Sequence, residues 1–147
     1  MRFRKRSESG QMIMMAILII LCLGLMLAVT IEIARMVKAR GALQKAADAA
    51  ALATCASVDM PFYRETGTVR YLPAAWDRAQ QLANANAGYL TANDIGVTVT
   101  GISLDAGAMM CRVSVTADLS GLLPGFLDYS ATTTMVGYAK ARLQSGQ

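Results

Sequence analysis

Cys55 and Cys111 are the residues of this chain whose type and placement could do covalent chemistry. Cys111 alternates with Met109, Val113, Val115 and Ala117 on one face of a predicted strand, and Cys55 lies in a stretch that is small or apolar all round. The two are therefore candidates to meet in a disulfide, closing a loop of about 55 residues. A bridge requires Cα atoms within about 7 Å. The third cysteine, Cys22, sits in an uncharged run and reads as a small apolar filler. Other chemistry is sparse. The 147 residues include no His, which removes the commonest general base and the imidazole metal ligand. No G-x-S-x-G, phosphate-binding Gly-rich loop or C-x-x-C occurs. Asp94, Asp105, Asp118 and Asp128 stand singly, each beside a Gly or a turn, where an aspartate serves local hydrogen bonding. The expectation is a protein that is no enzyme, with no cofactor, no metal and no small-molecule substrate.

The elements that must position these cysteines begin with the uncharged run. Met12 to Ile31 is MIMMAILIILCLGLMLAVTI, twenty residues without a charge. As a helix it is about 30 Å long, the thickness of a bilayer's hydrocarbon core. It exceeds the 7–15 residues of a signal h-region, and no A-x-A site follows closely. Arg2, Arg4, Lys5 and Arg6 precede it; Arg35, Lys38, Arg40 and Lys45 follow it, diluted by Glu32 and Asp48. The clustered N-terminal charges favour a cytoplasmic N-terminus. The net charge of +4 is thereby explained by the flanks of a span, and no nucleic-acid partner is expected.

The helical pattern continues past the span. Met36, Ala39, Leu43, Ala46, Ala50 and Ala53 share one face, and no Pro intervenes before Val58. The segment after Asp48 is apolar or small all round, which points to burial within protein. Residues 59–73 read as a connection punctuated by Pro61, Gly67 and Pro73. A second helix follows, with Ala75, Trp76, Ala79, Leu82, Ala83 and Asn86 at helical spacing and Gly88 as its stop. From Ile95 the period becomes two, and the apolar parity shifts at Gly101 as a bulge requires. A turn at Asp105-Ala106-Gly107 leads to the strand carrying Cys111. A connection through Gly121 and Pro124-Gly125 leads to a last strand, about Tyr129 to Leu143, with Ala131, Met135, Ala139, Ala141 and Leu143 inside. The fold class is α+β: one long N-terminal transmembrane helix extending into a domain with a second short helix and a three-stranded antiparallel sheet. The expected divisions are a basic leader over 1–10, the transmembrane helix over 11–31, its extension over 32–58, and an α+β domain over 59–147.

One ordered set of residues resembles a known module. Gly10-Gln11 opens the span, Glu32 and Arg35 follow it, and then come Gln44, Ala46, Ala47, Asp48, Ala49, Ala50, Ala51, Leu52 and Ala53. This is similar to the N-terminal module of the TadG-like (TadE/G-like) assembly proteins of the tight-adherence, or Flp, pilus, over about 45 residues. Two features depart from the family pattern: Glu32 stands where Asp is frequent, and a Pro frequent in the span is absent. The resemblance implies a minor-pilin-like or assembly component acting through protein–protein contacts, with membrane lipid and other pilus subunits as partners. It implies a single-pass protein of the bacterial inner membrane with its C-terminal domain periplasmic or extracellular. Pilin precursors are cut after a Gly that follows a basic leader, which here is Gly10, before Gln11. The fifth mature position, Glu in pilins, would be Met15, so the leader is expected to stay attached. Gly24 and Ala28 have the small-xxx-small spacing of packed membrane helices. The Ala-rich face after about Ala47 is expected to receive the chain's own sheet. The rival readings are an anchored periplasmic scaffold or ligand-binding module unrelated to pili, and an anchored hydrolase.

Overall fold

A computed structural model describes residues 5–105, 110–120 and 130–140. The architecture is α+β. Helix α1 spans Lys5–Ala56, α2 Met60–Thr66, α3 Ala75–Asn86 and α4 Gly88–Thr91; strands β1 Val97–Asp105, β2 Met110–Ser120 and β3 Ser130–Lys140 follow. The chain divides into two compact units, residues 1–36 and 37–147.

The first unit is helix throughout its described residues. Leu, Ile, Met and Ala favour helix, and Pro is absent. In an apolar phase only a helix satisfies every backbone polar group within a single segment. Its large apolar side chains point outward without cover: Ile13, Leu18, Leu21, Met26 and Ile31 are all exposed. Thr30 hides its hydroxyl by donating to the Met26 carbonyl at 2.8 Å. Glu32 is only 4% exposed, with Arg35 Nη1 3.6 Å from its Oε1.

The second unit starts with the remainder of α1. Ala39, Leu43, Ala46, Ala47, Ala50 and Ala51 are buried there and join one core with Val97, Val99, Val113 and Val115. The sheet has the order β1-β2-β3 and is antiparallel throughout. The register shifts between Val99 and Gly101, at the bulge the parity change predicts. On β2, Cys111, Val113, Val115 and Ala117 are buried. Helix α3 lies along β1 and buries Ala75, Ala79 and Ala83. Its Gln80 donates Nε2 to the Val97 carbonyl at 2.8 Å and accepts the Val99 N–H at 2.8 Å.

Several expectations are corrected. The connection over 59–73 contains α2: Asp59 accepts the Phe62 N–H at 3.1 Å as N-cap, Pro61 occupies the first turn, and Gly67 closes the helix at φ 68°. Residues read as loop punctuation are the caps of a seven-residue helix. Short helices gain most of their stability from tertiary packing, so periodicity does not announce them. Instead of one second helix there are three shorter ones. Gly88 does not terminate α3 as a left-handed cap; Ala87 is the cap and Gly88 opens α4. Trp76 and Leu82 are exposed, so the covered face of α3 is the narrower alanine one. Leu52 is 62% exposed, against the expectation of burial all round. β1 begins at Val97, two residues after Ile95. Asp118 lies within β2 and accepts the Thr132 hydroxyl at 2.6 Å across to β3. Helix α1 runs through Gly10 and ends at Ala56. Ala106, Gly107, Met109, Gly121, Pro124, Gly125, Asp128, Tyr129, Ala141 and Leu143, with Arg2 and Arg4, lie outside the described residues.

Candidate functional site: a helix face seated on a strand

The Ala-rich segment sorts into two faces. Ala46, Ala47, Ala50 and Ala51 are fully buried and Ala53 nearly so. Asp48 and Leu52 are exposed, with Gln44 and Ala49 half-buried. Gln44 Nε2 donates to Asp48 Oδ1 at 2.9 Å, an i,i+4 pair along the outward side. Thr54 and Ser57 are buried at the end of the segment, yet their hydroxyls donate to the Ala50 and Ala53 carbonyls at 2.8 Å each. Neither polar group is left unpaired, and no buried side-chain N or O lacks a partner among the described residues.

The inward face is small because a strand passes directly over it. Gly137 of β3 sits against the backbone of Ala47 and Asp48, so a Cβ built on it would land on the Ala47 carbonyl and lie 2.7 Å from Asp48 N. Gly137 pairs with Val113 across the sheet. Its slot belongs to the alternation of Ala131, Met135 and Ala139, but a glycine in a strand reads as a weak position. The sequence signal for it is that gap in the alternation.

Cys55 and Cys111 are joined by a disulfide, with Cα atoms 5.7 Å apart. Cys111 is central in the sheet, paired to Leu104 on β1 and Ala139 on β3. The bond thus ties the end of α1 to the middle strand. Cys22 is exposed on the first unit.

Beside this seat, the backbone of α2 is closed into an excursion. Asp59 N–H donates to the Arg70 carbonyl at 2.9 Å, and Leu72 N–H donates to the Ser57 carbonyl at 2.8 Å. Arg70 Nη2 lies 2.8 Å from Asp59 Oδ2, and its guanidinium carbon lies 3.8 Å from the Phe62 ring centroid. The Phe62 N–H, and then Arg70, hold the Asp59 carboxyl below its ordinary range. These contacts organise a lobe. Among the described residues, no group of three or more Cys, Asp or Glu side chains stands together.

The geometry therefore consists of an uncovered apolar helix, followed on the same helix by an alanine face seated on a glycine-bearing strand and locked by a disulfide. Residues 10–57 match the family model "Putative Flp pilus-assembly TadE/G-like". The matched stretch begins at the start of the apolar run and ends just past the last residue of α1. The matched stretch is thus the helix with both its surfaces, and the lobe and sheet lie beyond it. No curated protein and no solved structure matches the chain.

Proposed function

We propose that this protein is a membrane-anchored, non-catalytic component of a Tad-type pilus assembly machine, acting through protein–protein contacts. The observation that carries the reading is the coincidence of the TadE/G-like match with the helix that is apolar and uncovered over its first part. Such a helix needs an apolar phase, and a bilayer supplies one. The N-terminus lies in the cytoplasm and the sheet-bearing unit outside it. A structural disulfide suits that oxidising side. Met15, standing where pilin processing places Glu, favours retention of Met1 to Gly10 and an assembly role over a filament subunit.

In vivo crosslinking followed by purification from native membranes tests the role: pilus platform or secretin subunits are expected in the crosslinked complex. A complex devoid of pilus components would move the reading to an anchored scaffold. Alkaline-phosphatase fusions after Gln147 are expected to be active and fusions at Gly10 inactive; the reverse pattern would overturn the topology. The mass of the native chain reports on the leader.

A further inference from the structure

A groove of 590 Å³ opens within the second unit, between the start of its α1 segment and the α3–α4 junction. Lys38, Gly41, Ala42, Lys45, Asn86 and Tyr89 line it, and no carboxylate does among the described residues. We propose that this groove seats an α-helix of another protein, one that carries two acidic residues seven positions apart, as Lys38 and Lys45 are, with a bulky apolar residue between them. The inference deepens the protein–protein reading above and rests on it.

The first observation is charge. Lys38 and Lys45 are exposed, and neither is ion-paired among the described residues. Two ammonium groups line the same opening without a counter-charge, which favours a partner that brings carboxylates.

The second is spacing. Seven positions of helix carry Lys45 about 10 Å along the axis from Lys38 and return it to nearly the same face. A partner helix repeats that interval at every seventh residue. Residues on one face of a strand recur at about 6.6 Å and about 13 Å, so an extended segment matches it less well.

The third is the notch between the lysines. Gly41 lies inside a helix, where glycine is disfavoured relative to alanine. It has no left-handed φ, and a Cβ there would meet nothing within 4 Å. Neither a turn nor a contact among the described residues requires it, in contrast to Gly137. Ala42 beside it is buried. The floor between the lysines is therefore backbone and small side chain, a hole for one apolar knob of a neighbouring helix.

A second copy of this chain does not fit. Its ten acids include no two that are three, four or seven positions apart, the closest being Asp59 and Glu65. No helix of this protein presents the required pair.

The test places a photoreactive benzoylphenylalanine at Asn86 of the full chain, and in a second variant at Ala85, both exposed on the groove. Each is crosslinked in native membranes and the attached peptide is sequenced. The expected adduct is a helical segment of another protein with two acids seven positions apart around an apolar residue. Lys38→Glu with Lys45→Glu is expected to cut its yield about tenfold or more, and reversal of the partner's two acids to lysine to restore it. Gly41→Leu keeps both lysines, fills the notch and is expected to lose the adduct. Arg40→Glu reverses an exposed neighbouring charge outside the groove and is expected to leave the yield unchanged. An adduct to a second copy or to lipid, no adduct from either position, or an undiminished yield in the lysine double variant would overturn the site. Equal loss in Arg40→Glu would overturn it in favour of diffuse attraction. Protease resistance of the second unit reports the fold of each variant, and the charge swap decides where Gly41→Leu does not fold. An acidic helix from outside the pilus machinery would keep the groove and overturn the functional reading. An adduct to a pilus subunit without such a helix would keep that reading and overturn the groove.

Discussion

The two parts of helix α1 solve the same problem with opposite side chains. In the first unit Leu, Ile and Met dominate and are exposed all round. In the second unit alanine dominates one side and is buried. An apolar phase made of lipid chains accepts any bulky apolar surface, so size there is limited only by hydropathy. A sheet is rigid and has a backbone, so a helix seated on it must be shaped to it. At Gly137 the strand backbone lies directly against the backbone of Ala47, whose own side chain is fully buried. Hydropathy alone does not separate the two environments; side-chain volume does.

The largest effect that would break this contrast is expected from the disulfide. With a sequence separation of 56, the chain-entropy model gives about 4 kcal/mol. Cys55→Ala with Cys111→Ala should lower the unfolding free energy of the second unit by that order, read as a lower denaturant midpoint at unchanged m, while carbonate extraction is unaffected. An unchanged midpoint would show that the helix seat is held by packing alone.

Gly137→Ala comes next. Its methyl meets backbone, which cannot rotate away, and overpacking of this kind costs about 3 kcal/mol. Protease resistance of the second unit should fall, and carbonate extraction should be unaffected. Leu21→Arg tests the other half: an arginine mid-span costs roughly 3 kcal/mol of insertion. It should weaken membrane retention and leave the protease pattern of the second unit unaltered. If either variant produced both phenotypes, the two halves would not be separable.

A smaller effect concerns the lobe. Asp59 is held below its ordinary value of 3.8, chiefly by the Phe62 N–H and then by Arg70. Because the folded value is the depressed one, its contribution is fully present above about pH 4 and is lost as the pH falls through the folded value. Protection from hydrogen exchange over Met60–Thr66, taken relative to the intrinsic rate at each pH, should therefore fall on acidification below pH 4, and Asp59→Asn should remove that dependence. The smallest effect is expected at Leu52. It belongs to the matched module yet is 62% exposed, so Leu52→Gln should shift stability by no more than about 0.5 kcal/mol.

Much of this was legible in the sequence because it is periodic. The run from Met12, the face through Ala39, Leu43 and Ala46, the alternation on β2 and the bulge before Gly101 all follow from spacing. Cys55 and Cys111 can be paired because Cys111 stands on a predicted inner face and Cys55 in a segment small or apolar all round. What escaped were features whose cause lies elsewhere in the chain. Gln80 looks like any helix-surface amide until β1 is brought beside it. Gly137 looks like a flaw in a strand until Ala47 is placed above it. Helix α2 is too short for its period to register. Trp76, Leu82 and Leu52 were assigned to covered faces because hydropathy indicates which side chains prefer burial, and not whether anything arrives to cover them.

The Gln80 amide has a consequence for how the sheet meets other chains. A peptide group offers one N–H and one C=O, and a primary amide offers a C=O and two N–H groups. By giving to the Val97 carbonyl and taking from the Val99 N–H, Gln80 occupies those backbone groups as a passing strand would. An exposed row of such groups is a template for stray strands and for aggregation. At Val97 and Val99 the template is already filled by a single side chain held on a helix, so a misfolded neighbour finds those two rungs taken.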